Sequence, residues 1–415
     1  MTASASAAAA RCAVVLAAVL FGHAMAAQDW NQWRGPARTG VAAAFDAPAE
    51  WPAKPTRVWQ ARVGLGHSSP IVSGGRVFQH SRLGEDEVVT AFDLPSGKQI
   101  WQQRYAAPYQ VNPAAEAHGK GPKSTPIVRD GKLFTLGVDA ALAAFDAASG
   151  KVLWRHRFAK EFDAASPDFG TAMSPMVENG LLIVLVGGNK TGGLAALDAA
   201  TGSVKWMWRG DSPAYASPIA VTLAGTRQIV TQSRSHVVGL SAADGSPLWT
   251  IPFKTSYDQN IVTPLVLDDL VIYSGVGQPL IGSRLTNAGG KWRATEVWRN
   301  DDLSLYMSSP VLAAGALFGF TFRSKGQFFA ADPSTGKTRW TTRGREAENA
   351  SLAIAGKWLL AATTEGELVV ARPDPARFDV VKRYTVAESP IWAHPVPAGR
   401  GVLIKDAETL AYWTF

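Results

Sequence analysis

The sequence reads AFDLPSGKQIW at residues 91–101, and the pattern returns as AFDAASGKVLW at 144–154 and as ALDAATGSVKW at 196–206. Weaker copies end at Trp249, Trp298 and Trp340. A unit that recurs every ~40–50 residues is typical of a propeller blade. The repeat therefore predicts a ring of blades, in which we interpret most of the 15 tryptophans as apolar wedges between neighbours.

A second signal precedes each tryptophan: a serine or threonine, then proline, then a short apolar run. Proline cannot donate a hydrogen bond to a strand ladder, so it belongs at the start of a strand. The glycine turn and the β-rich run that follow indicate a hairpin, and the residues around the tryptophan supply two further strands. Each signal thus marks the inner strand of a four-stranded blade. The signals begin at Ser69, Thr125, Ser174, Ser217, Thr263, Ser309 and Ser389.

The spacing of these signals predicts eight blades. The interval between Ser309 and Ser389 holds a degenerate copy that begins near Asn349 and lacks the proline. The last blade lacks an outer strand, whereas residues 56–62 look like an outer strand without a blade. Pairing residues 56–62 with the last blade closes the ring and leaves no unpaired strand edge at that point. We therefore predict an all-β, eight-bladed propeller of four-stranded antiparallel blades with tryptophan-docking motifs over residues 56–415, closed by strand 56–62.

The N-terminal residues predict export. Residues 1–26 read as a secretory signal peptide, with an apolar run and Ala24-Met25-Ala26 as the cleavage site. Cys12, the single cysteine, precedes that run, which argues against lipidation. We expect a periplasmic or secreted bacterial protein, with residues 27–55 as an N-terminal extension. The apolar run is too short to remain as a transmembrane anchor.

Charge and composition exclude some classes of function. The formal net charge of +7 is spread along the chain without a basic run, so we predict no nucleic-acid binding. No helical periodicity of useful length appears. Without a cysteine after cleavage, the mature chain has no disulfide and no thiolate nucleophile. We expect a monomer with an ample core, since 47% of the residues are hydrophobic.

The Ser-Pro strand and the Ala-x-Asp-x-x-Thr-Gly-x-x-x-Trp motif together resemble the pyrroloquinoline quinone (PQQ) repeat. The opening DWNQWRGPARTG at residues 29–40 is similar to the start of secreted bacterial PQQ-like propellers. Two groups share this blade. Quinoprotein alcohol dehydrogenases hold PQQ and calcium in the central funnel, whereas BamB outer-membrane assembly factors use the ring as a non-catalytic platform. Fold alone does not choose between them.

The residues disfavour the enzyme. The dehydrogenases, as a family, stack PQQ on a disulfide between adjacent cysteines, and this sequence has no such pair. Calcium is coordinated by six to eight oxygen ligands, which usually include several carboxylates. The acidic and amide residues upstream of the inner strands are dispersed and do not align with the calcium ligands of that family. We therefore predict no metal site, and we treat PQQ and calcium as the disfavoured alternative.

Some channel residues remain candidates for binding. Segments that enter the inner strands should line one mouth of the channel. If the protein is an enzyme, His67 is the candidate general base, because imidazole titrates near neutrality. The alternative is that these are ordinary rim residues bonded to backbone or water; His80, His156, His236 and His394 have weaker claims. The candidates for a cofactor or for an anionic or sugar-like ligand are His67, His118, Lys123, Tyr215, Asn260 and Tyr306.

The function expected from the sequence is a non-catalytic, periplasmic binding scaffold for a protein or cell-envelope ligand, with a BamB-like role as one version. This expectation leans away from an enzyme. The alternative is a divergent PQQ-dependent dehydrogenase with its site in the central funnel.

Overall fold

The repeats of the sequence become repeated sheets. The computed structural model describes residues 29–158 and 161–415. Within those ranges, the strands form eight sheets, each with four antiparallel blade strands, of an eight-bladed β-propeller, which confirms the predicted fold class. Seven sheets have four strands, and one gains a fifth. The predicted signal peptide, residues 1–26, lies outside the described residues.

Each blade runs from an inner strand at the channel to an outer strand at the perimeter. Two strands precede the first blade: β1 (Val41–Ala42) and β2 (Thr56–Arg62). Blades 1 and 2 contain β3 (Ile71–Ser73), β4 (Arg76–Leu83), β5 (Asp86–Asp93), β6 (Gln99–Ala106), β7 (Ile127–Arg129), β8 (Lys132–Leu136), β9 (Leu142–Asp146) and β10 (Val152–His156). Blades 3 and 4 contain β11 (Met176–Glu178), β12 (Leu181–Gly187), β13 (Gly192–Asp198), β14 (Val204–Trp208), β15 (Ile219–Leu223), β16 (Thr226–Gln232), β17 (His236–Ser241) and β18 (Pro247–Pro252).

The second half of the ring repeats this arrangement. Blades 5 and 6 contain β19 (Leu265–Leu267), β20 (Leu270–Gly275), β21 (Gln278–Ala288), β22 (Lys291–Asn300), β23 (Val311–Ala313), β24 (Ala316–Thr321), β25 (Gln327–Ala331) and β26 (Thr338–Thr341). Blades 7 and 8 contain β27 (Ala350–Ala355), β28 (Trp358–Thr363), β29 (Glu367–Arg372), β30 (Asp379–Thr385), β31 (Val396–Ala398), β32 (Gly401–Lys405) and β33 (Thr409–Thr414). Short 3-10 helices lie in loops at Pro113–His118, Ser256–Asp258 and Arg323–Lys325. No helix within the described ranges has the length and apolar character needed to cross a membrane.

The ring closes with strands from both ends of the chain. Strand β2 pairs antiparallel with β33, with Thr56 opposite Thr414 and Arg62 opposite Thr409. Blade 8 therefore has the strand order β2-β33-β32-β31. Trp59, on β2, donates its indole N–H to the Leu94 carbonyl of blade 1 at 2.7 Å, which joins the last blade to the first.

The inner strand of blade 8 differs from the sequence prediction. The sequence predicts its start at Ser389-Pro390, but β31 begins at Val396. The pair directly before that strand is His394-Pro395, so a histidine stands where six of the other blades have serine or threonine. The Ser389 hydroxyl accepts a hydrogen bond from the Ala407 N–H instead, at 3.1 Å. The assignment was wrong because the true copy had lost its hydroxyl residue.

The hydroxyl of the Ser/Thr-Pro motif has a structural role. It accepts a backbone N–H from the corresponding position of the preceding blade. These bonds are His394 N–H to Ser69 (2.8 Å), Ser69 N–H to Thr125 (3.1 Å), Thr125 N–H to Ser174 (3.0 Å), Ser174 N–H to Ser217 (2.9 Å) and Thr263 N–H to Ser309 (3.1 Å). Buried backbone donors need such partners. The hydroxyls thus form a belt along part of the channel, which ties the inner-strand starts of blades 8, 1, 2, 3 and 4 in series and those of blades 5 and 6 to each other.

The tryptophans of the repeat contact the following blade. Trp101 donates its indole N–H to the Ala147 carbonyl, and Trp154 donates to the Ala199 carbonyl, each at 3.2 Å. The same two rings lie against the turn glycines Gly150 and Gly202, where an added Cβ would come within 2.6 and 2.8 Å of ring carbons. The indole contacts and the hydroxyl belt therefore join the same blades at their outer and inner ends.

Candidate functional site

The loops that enter the inner strands surround a cavity at one mouth of the channel. Its volume is about 1080 Å³, with open solvent at the mouth included. Five of the six predicted funnel residues line it, and they come from blades 1, 2, 4 and 6. These five residues are His67, His118, Lys123, Tyr215 and Tyr306.

Asn260 does not line the cavity. Its side chain is buried, and its amide group donates to the carbonyls of Ser233 at 2.7 Å and of Phe253 at 3.1 Å. Its own carbonyl accepts the N–H groups of Tyr215 and Ala216. Asn260 therefore holds the loop that presents Tyr215, so its place in the structure is behind the wall.

The N-terminal segment 29–42 crosses the channel and supplies a floor. Trp30 exchanges two backbone hydrogen bonds with Val72 of blade 1, at 2.9 and 3.0 Å, and the Asn31 carbonyl accepts the N–H of Val128 in blade 2. Further along the segment, β1 pairs in parallel with β27 of blade 7. We call residues 29–42 the plug. Trp33 of the plug is part of the cavity lining.

Two buried arginines of the plug flank this tryptophan. Their guanidinium carbons lie 5.4 Å (Arg34) and 5.5 Å (Arg38) from the Trp33 ring centre. Arg34 donates to the carbonyls of Thr39 and Pro310. Arg38 donates to the carbonyls of Ser174 at 2.8 Å and Pro175 at 2.9 Å and to the Gln32 amide oxygen. The plug is thus fastened to blades 3 and 6.

Burial of these arginines changes their electrostatics. It lowers the pKa of each guanidinium to about 9, and for Arg38 the neighbouring charge of Arg34 adds to the effect. Within the described residues, neither arginine forms an ion pair with a carboxylate. The positive charge beside the Trp33 ring is therefore hydrogen-bonded only to neutral oxygens among the described residues.

An aromatic corner forms one wall. The His118 ring centre lies 4.8 Å from that of Trp392, and the His67 ring centre lies 5.9 Å from Trp392 and 5.8 Å from His118. The His67 Nε2 atom is buried without a hydrogen-bond partner among the described residues. Trp392 comes from the segment before β31, so this corner joins blade 8 to blades 1 and 2.

Both histidines of this corner are weaker bases than a solvent-exposed imidazole. Burial lowers the pKa of His67 to about 3, with further contributions from His118, Lys405 and Lys123. Burial and the charge of Lys123 also lower the pKa of His118, against the opposing effect of Glu348. A general base works best with a pKa near the working pH. His67 in this environment is therefore a neutral ring that suits packing better than proton abstraction.

Lys123 is the cation in the cavity wall. Its Nζ donates to the Phe169 carbonyl at 2.6 Å, and burial lowers its pKa to about 8. The residues that line the cavity include no aspartate or glutamate, within the part of the chain that the structure describes. The wall is thus cationic without an acidic counterpart.

The remaining predicted candidates add aromatic surface. The Tyr215 hydroxyl accepts the Phe169 N–H at 3.3 Å, and burial raises the pKa of this tyrosine. Tyr306 packs edge-on against Phe322 with ring centres 5.2 Å apart. Both side chains face a cavity whose lining is rich in rings, so flat or apolar groups are suitable occupants.

Sequence reasoning missed Trp33, Trp392 and the importance of His394. His394 packs edge-on against Trp33 at 5.5 Å, and burial, with the charge of Arg34, lowers its pKa to about 3. The motif WNQWRGP at residues 30–36 was the available signal for Trp33, because it stands outside the repeat and yet is dense in tryptophan. Trp392 had no comparable signal, since it follows a Ser-Pro pair that looked like a strand start.

Comparison with known proteins identifies the family. The family described as "Outer membrane protein assembly factor BamB" matches residues 85–342. The chain belongs to this family. BamB of Burkholderia pseudomallei is 26% identical over 326 residues, which are 76% of this chain and 77% of that protein. BamB of Yersinia pestis is 25% identical over 377 residues, which are 86% of this chain and 88% of that protein. The recognition made from the repeat is confirmed.

Other similarities are partial or distant. The quinoprotein alcohol dehydrogenase PedH of Pseudomonas putida is 26% identical over 144 residues, which are 34% of this chain and 22% of that enzyme. The crystal structure of BamB from Moraxella catarrhalis matches with a TM-score of 0.63 at 16% identity, covering 88% of this chain and 98% of that one. A europium-containing methanol dehydrogenase matches with a TM-score of 0.66 at 12% identity, covering 94% and 98%. At these identities, the solved structures establish the fold alone.

The cavity does not fit the calcium and PQQ of the dehydrogenases. Its lining offers no carboxylate, and the described residues contain no group of three or more His, Cys, Asp or Glu side chains that could hold a metal ion. Calcium needs a dense set of oxygen ligands. The single cysteine at position 12 also leaves no adjacent pair for the quinone to stack on.

Proposed function

We propose that this protein is a non-catalytic, periplasmic binding scaffold that docks a protein partner during outer membrane protein assembly. The observation that carries the proposal is the extent of the BamB similarity. It spans 76–86% of this chain in the two relatives above, against 34% for the dehydrogenase PedH. The described residues that line the cavity include no carboxylate to coordinate calcium, which supports the same proposal. A divergent quinoprotein remains the alternative.

The mouth of the channel is our proposed docking face. Tyr257, in the loop before blade 5, is 84% exposed and has a φ of +59°. Such a backbone conformation is uncommon for a bulky residue, and functional sites often contain it. Leu65 and Phe322 add exposed apolar surface on loops of the same mouth, at 42% and 43% exposure. Exposed aromatic residues among charged neighbours are typical of protein interfaces.

Site-specific photocrosslinking tests this assignment. A photoreactive amino acid is placed at Tyr257 or Phe322 in the full chain, expressed in its own bacterium. The matched control is Val204, which is 39% exposed on the perimeter strand β14. We expect an adduct with an outer membrane assembly protein from the two mouth positions and none from Val204. Adducts at Val204 alone would contradict the mouth as the docking face.

A second experiment separates the scaffold from the enzyme. The purified mature protein is incubated with PQQ and calcium, and quinone absorbance after gel filtration and dye-linked oxidation of alcohols and sugars are measured. We expect neither retained quinone nor turnover. Retained quinone with turnover that is lost in His67→Ala or Lys123→Ala would establish the alternative.

Export is part of the proposal and has its own test. We propose cleavage after Ala26 and no lipid, from the small residues at Ala24-Met25-Ala26 and the position of Cys12. Mass spectrometry of the protein purified from the periplasm should give the mass of a chain that begins at Ala27. A chain that keeps Met1, or one that carries a diacylglyceryl group, contradicts this proposal.

A further inference from the structure

Blade 5 carries a hairpin that is longer than that of its neighbour. Its third and fourth strands, β21 and β22, have 11 and 10 residues, against five and four in the corresponding strands of blade 6. We call residues 284–295 the ribbon. Inner strands begin at the mouth and the strands of a blade alternate in direction, so the turn of this hairpin lies at the other end of the channel. A Cβ on Gly289 or Gly290 in that turn would meet nothing within 4 Å, so the tip of the ribbon is open to solvent.

The two faces of the ribbon differ in chemistry, because successive side chains of a strand point to opposite faces. Leu285 is buried, and Trp292 and Ala294 pack against the hydrophobic cluster that blades 4 and 5 share. This apolar face fastens the ribbon to the ring. The opposite face, which we call the basic face, is exposed along its whole length. It consists of Arg284, Thr286, Ala288, Lys291, Arg293 and Thr295.

The ribbon lacks the acid that marks this turn in other blades. In blades 1, 2, 3 and 6, an aspartate stands at the end of the third strand, and its carboxylate accepts N–H groups of the turn. These aspartates are Asp93, Asp146, Asp198 and Asp332. In blade 5, Asn287 takes this place, and its amide oxygen accepts the Gly290 N–H at 2.9 Å. A neutral amide therefore holds the turn without adding a negative charge to the tip.

Neighbouring acids offset only part of the charge of the basic face. Arg284 is paired with Asp269, in the first turn of the same blade, at 3.3 Å, and Asp268 precedes that acid. Lys291 and Arg293 lie nearer the tip, and neither has a carboxylate partner within the part of the chain that the structure describes. The tip of the ribbon therefore presents two uncompensated cations on one exposed face.

The shape and composition of the basic face decide what kind of partner it fits. Small ligands bind in concave sites, whereas the ribbon projects and encloses nothing. Protein interfaces are built around aromatic and other apolar anchors, and the basic face has none. A layer of anionic lipid headgroups needs neither a cleft nor an anchor, because it attracts lysines and arginines at close range, and the guanidinium group matches phosphate oxygens.

We propose that the basic face of the ribbon docks on a bilayer that contains anionic phospholipid, with Lys291 and Arg293 against the headgroup phosphates. This surface lies at the end of the channel opposite the docking face proposed above. The inference goes beyond the proposed function and stands or fails independently of it, since crosslinking at the mouth detects a protein and the experiments below detect a lipid surface.

Vesicle flotation of the full mature protein tests the proposal. The vesicles are phosphatidylcholine alone or phosphatidylcholine with about one third phosphatidylglycerol, in about 50 mM salt, where surface charges are weakly screened. We expect the partition coefficient to be at least about tenfold larger for the anionic vesicles, and to fall to the value for neutral vesicles in about 500 mM salt. Equal partition into both kinds of vesicle would overturn the proposal.

Two double variants with the same change in net charge assign the contact to the ribbon. Lys291→Gln combined with Arg293→Gln should lower partition into anionic vesicles at least about tenfold, since each cation near such a surface contributes about fivefold. The matched control combines Lys98→Gln with Lys151→Gln, at exposed positions in the corresponding turns of blades 1 and 2. Its partition should stay within about twofold of the parent. Equal losses in the two double variants would mean that overall charge attracts the protein, which contradicts a ribbon site.

A fluorescent label locates the contact. The sequence has no cysteine after position 12, so Ala288→Cys in the mature protein carries a single environment-sensitive label at the tip of the ribbon. We expect the emission of this label to shift to shorter wavelength with anionic vesicles. The same label at Ala117→Cys, an exposed position in the 3-10 helix Pro113–His118 at the mouth, should not shift. No shift at Ala288, or a shift at Ala117 alone, would refute the assignment.

Immobilised polyglutamate distinguishes a lipid surface from an acidic protein segment. We expect the protein to leave polyglutamate at a lower salt concentration than it leaves the anionic vesicles, because a flexible chain loses conformational entropy when its charges align with the ribbon. Retention on polyglutamate to a higher salt concentration, lost in the variant with Lys291→Gln and Arg293→Gln, would assign the basic face to an acidic protein and overturn the proposal.

Discussion

The contact between a tryptophan and the next blade can be measured with two glycines of blade 2. Gly150 has a φ of +75°, and a Cβ there would lie 2.6 Å from Trp101 Cε3 and 2.7 Å from Cδ2. Gly131 has nearly the same φ, +72°, and a Cβ there would meet nothing within 4 Å. The pair therefore shares the backbone strain of an alanine at positive φ and differs in the overlap with the indole.

The expected costs follow from these geometries. An L-residue in the left-handed region costs about 1–2 kcal/mol, so Gly131→Ala should lower the free energy of unfolding by about that amount. Overpacking adds about 1–3 kcal/mol, so Gly150→Ala should cost about 2–5 kcal/mol. The measurement is guanidinium unfolding of each purified variant, followed by tryptophan fluorescence and circular dichroism.

A double variant decides whether the extra cost belongs to Trp101. In a Trp101→Leu background the overlap is gone, so Gly150→Ala should cost no more than Gly131→Ala does in the parent. Equal costs for the two glycine variants in the parent protein would refute the claim that the indole packs against this turn.

Three further predictions address the plug, the belt and the ring closure. Arg38→Met removes three hydrogen bonds, to Gln32, Ser174 and Pro175, so it should lower the free energy of unfolding by about 3 kcal/mol. The control is Arg129→Met at an exposed position, which should change the free energy of unfolding by less than about 0.5 kcal/mol in the same unfolding assay. Burial lowers the pKa of His394 to about 3 in the folded state, against 6.5 in the unfolded state, so the unfolded state binds the proton first and the free energy of unfolding falls as pH drops from about 6.5 towards 3. His394→Gln removes this titration, so the variant should lose about 1.4 kcal/mol less of its free energy of unfolding than the parent between neutral pH and pH 5.5. Unfolding measured across that pH range checks this. Deleting residues 28–63 removes the plug and β2 and should lower the thermal midpoint by about 10 °C or more in calorimetry, because both the outer edge of blade 8 and the channel lose their partners; an unchanged midpoint would contradict the closure.

The sequence predicted the features that repeat. A Ser/Thr-Pro strand and a Gly–Trp turn recur often enough to reveal their periodicity, so the number of blades followed from spacing. The prediction was wrong for the inner strand of blade 8, because His394 replaces the hydroxyl residue of the motif and Ser389-Pro390 matches the motif by coincidence. A local pattern of residue types cannot distinguish the true copy from the chance match, because the partner that decides it, the Ser69 hydroxyl that accepts the His394 N–H, lies 325 positions away.

The candidate site was predictable in its walls and not in its floor. His67, His118, Lys123, Tyr215 and Tyr306 lie in loops whose place at the mouth follows from blade geometry. Asn260 occupies such a loop as well, but its side chain turns inward to backbone carbonyls, and the sequence holds no sign of that direction. The plug makes its bonds to distant blades, so no local periodicity marks its path.

The plug links the stability of the ring to the chemistry of the funnel. Arg34 and Arg38 bond to blade carbonyls, which fixes the segment, and their charge lies directly against the Trp33 ring that forms the floor. An apolar side chain at either position would spare the cost of burying a cation, but it would leave the blade carbonyls without these donors, so the arginines stabilise the ring through their hydrogen bonds. The arginines are therefore a structural anchor that holds the Trp33 ring in its place in the cavity lining.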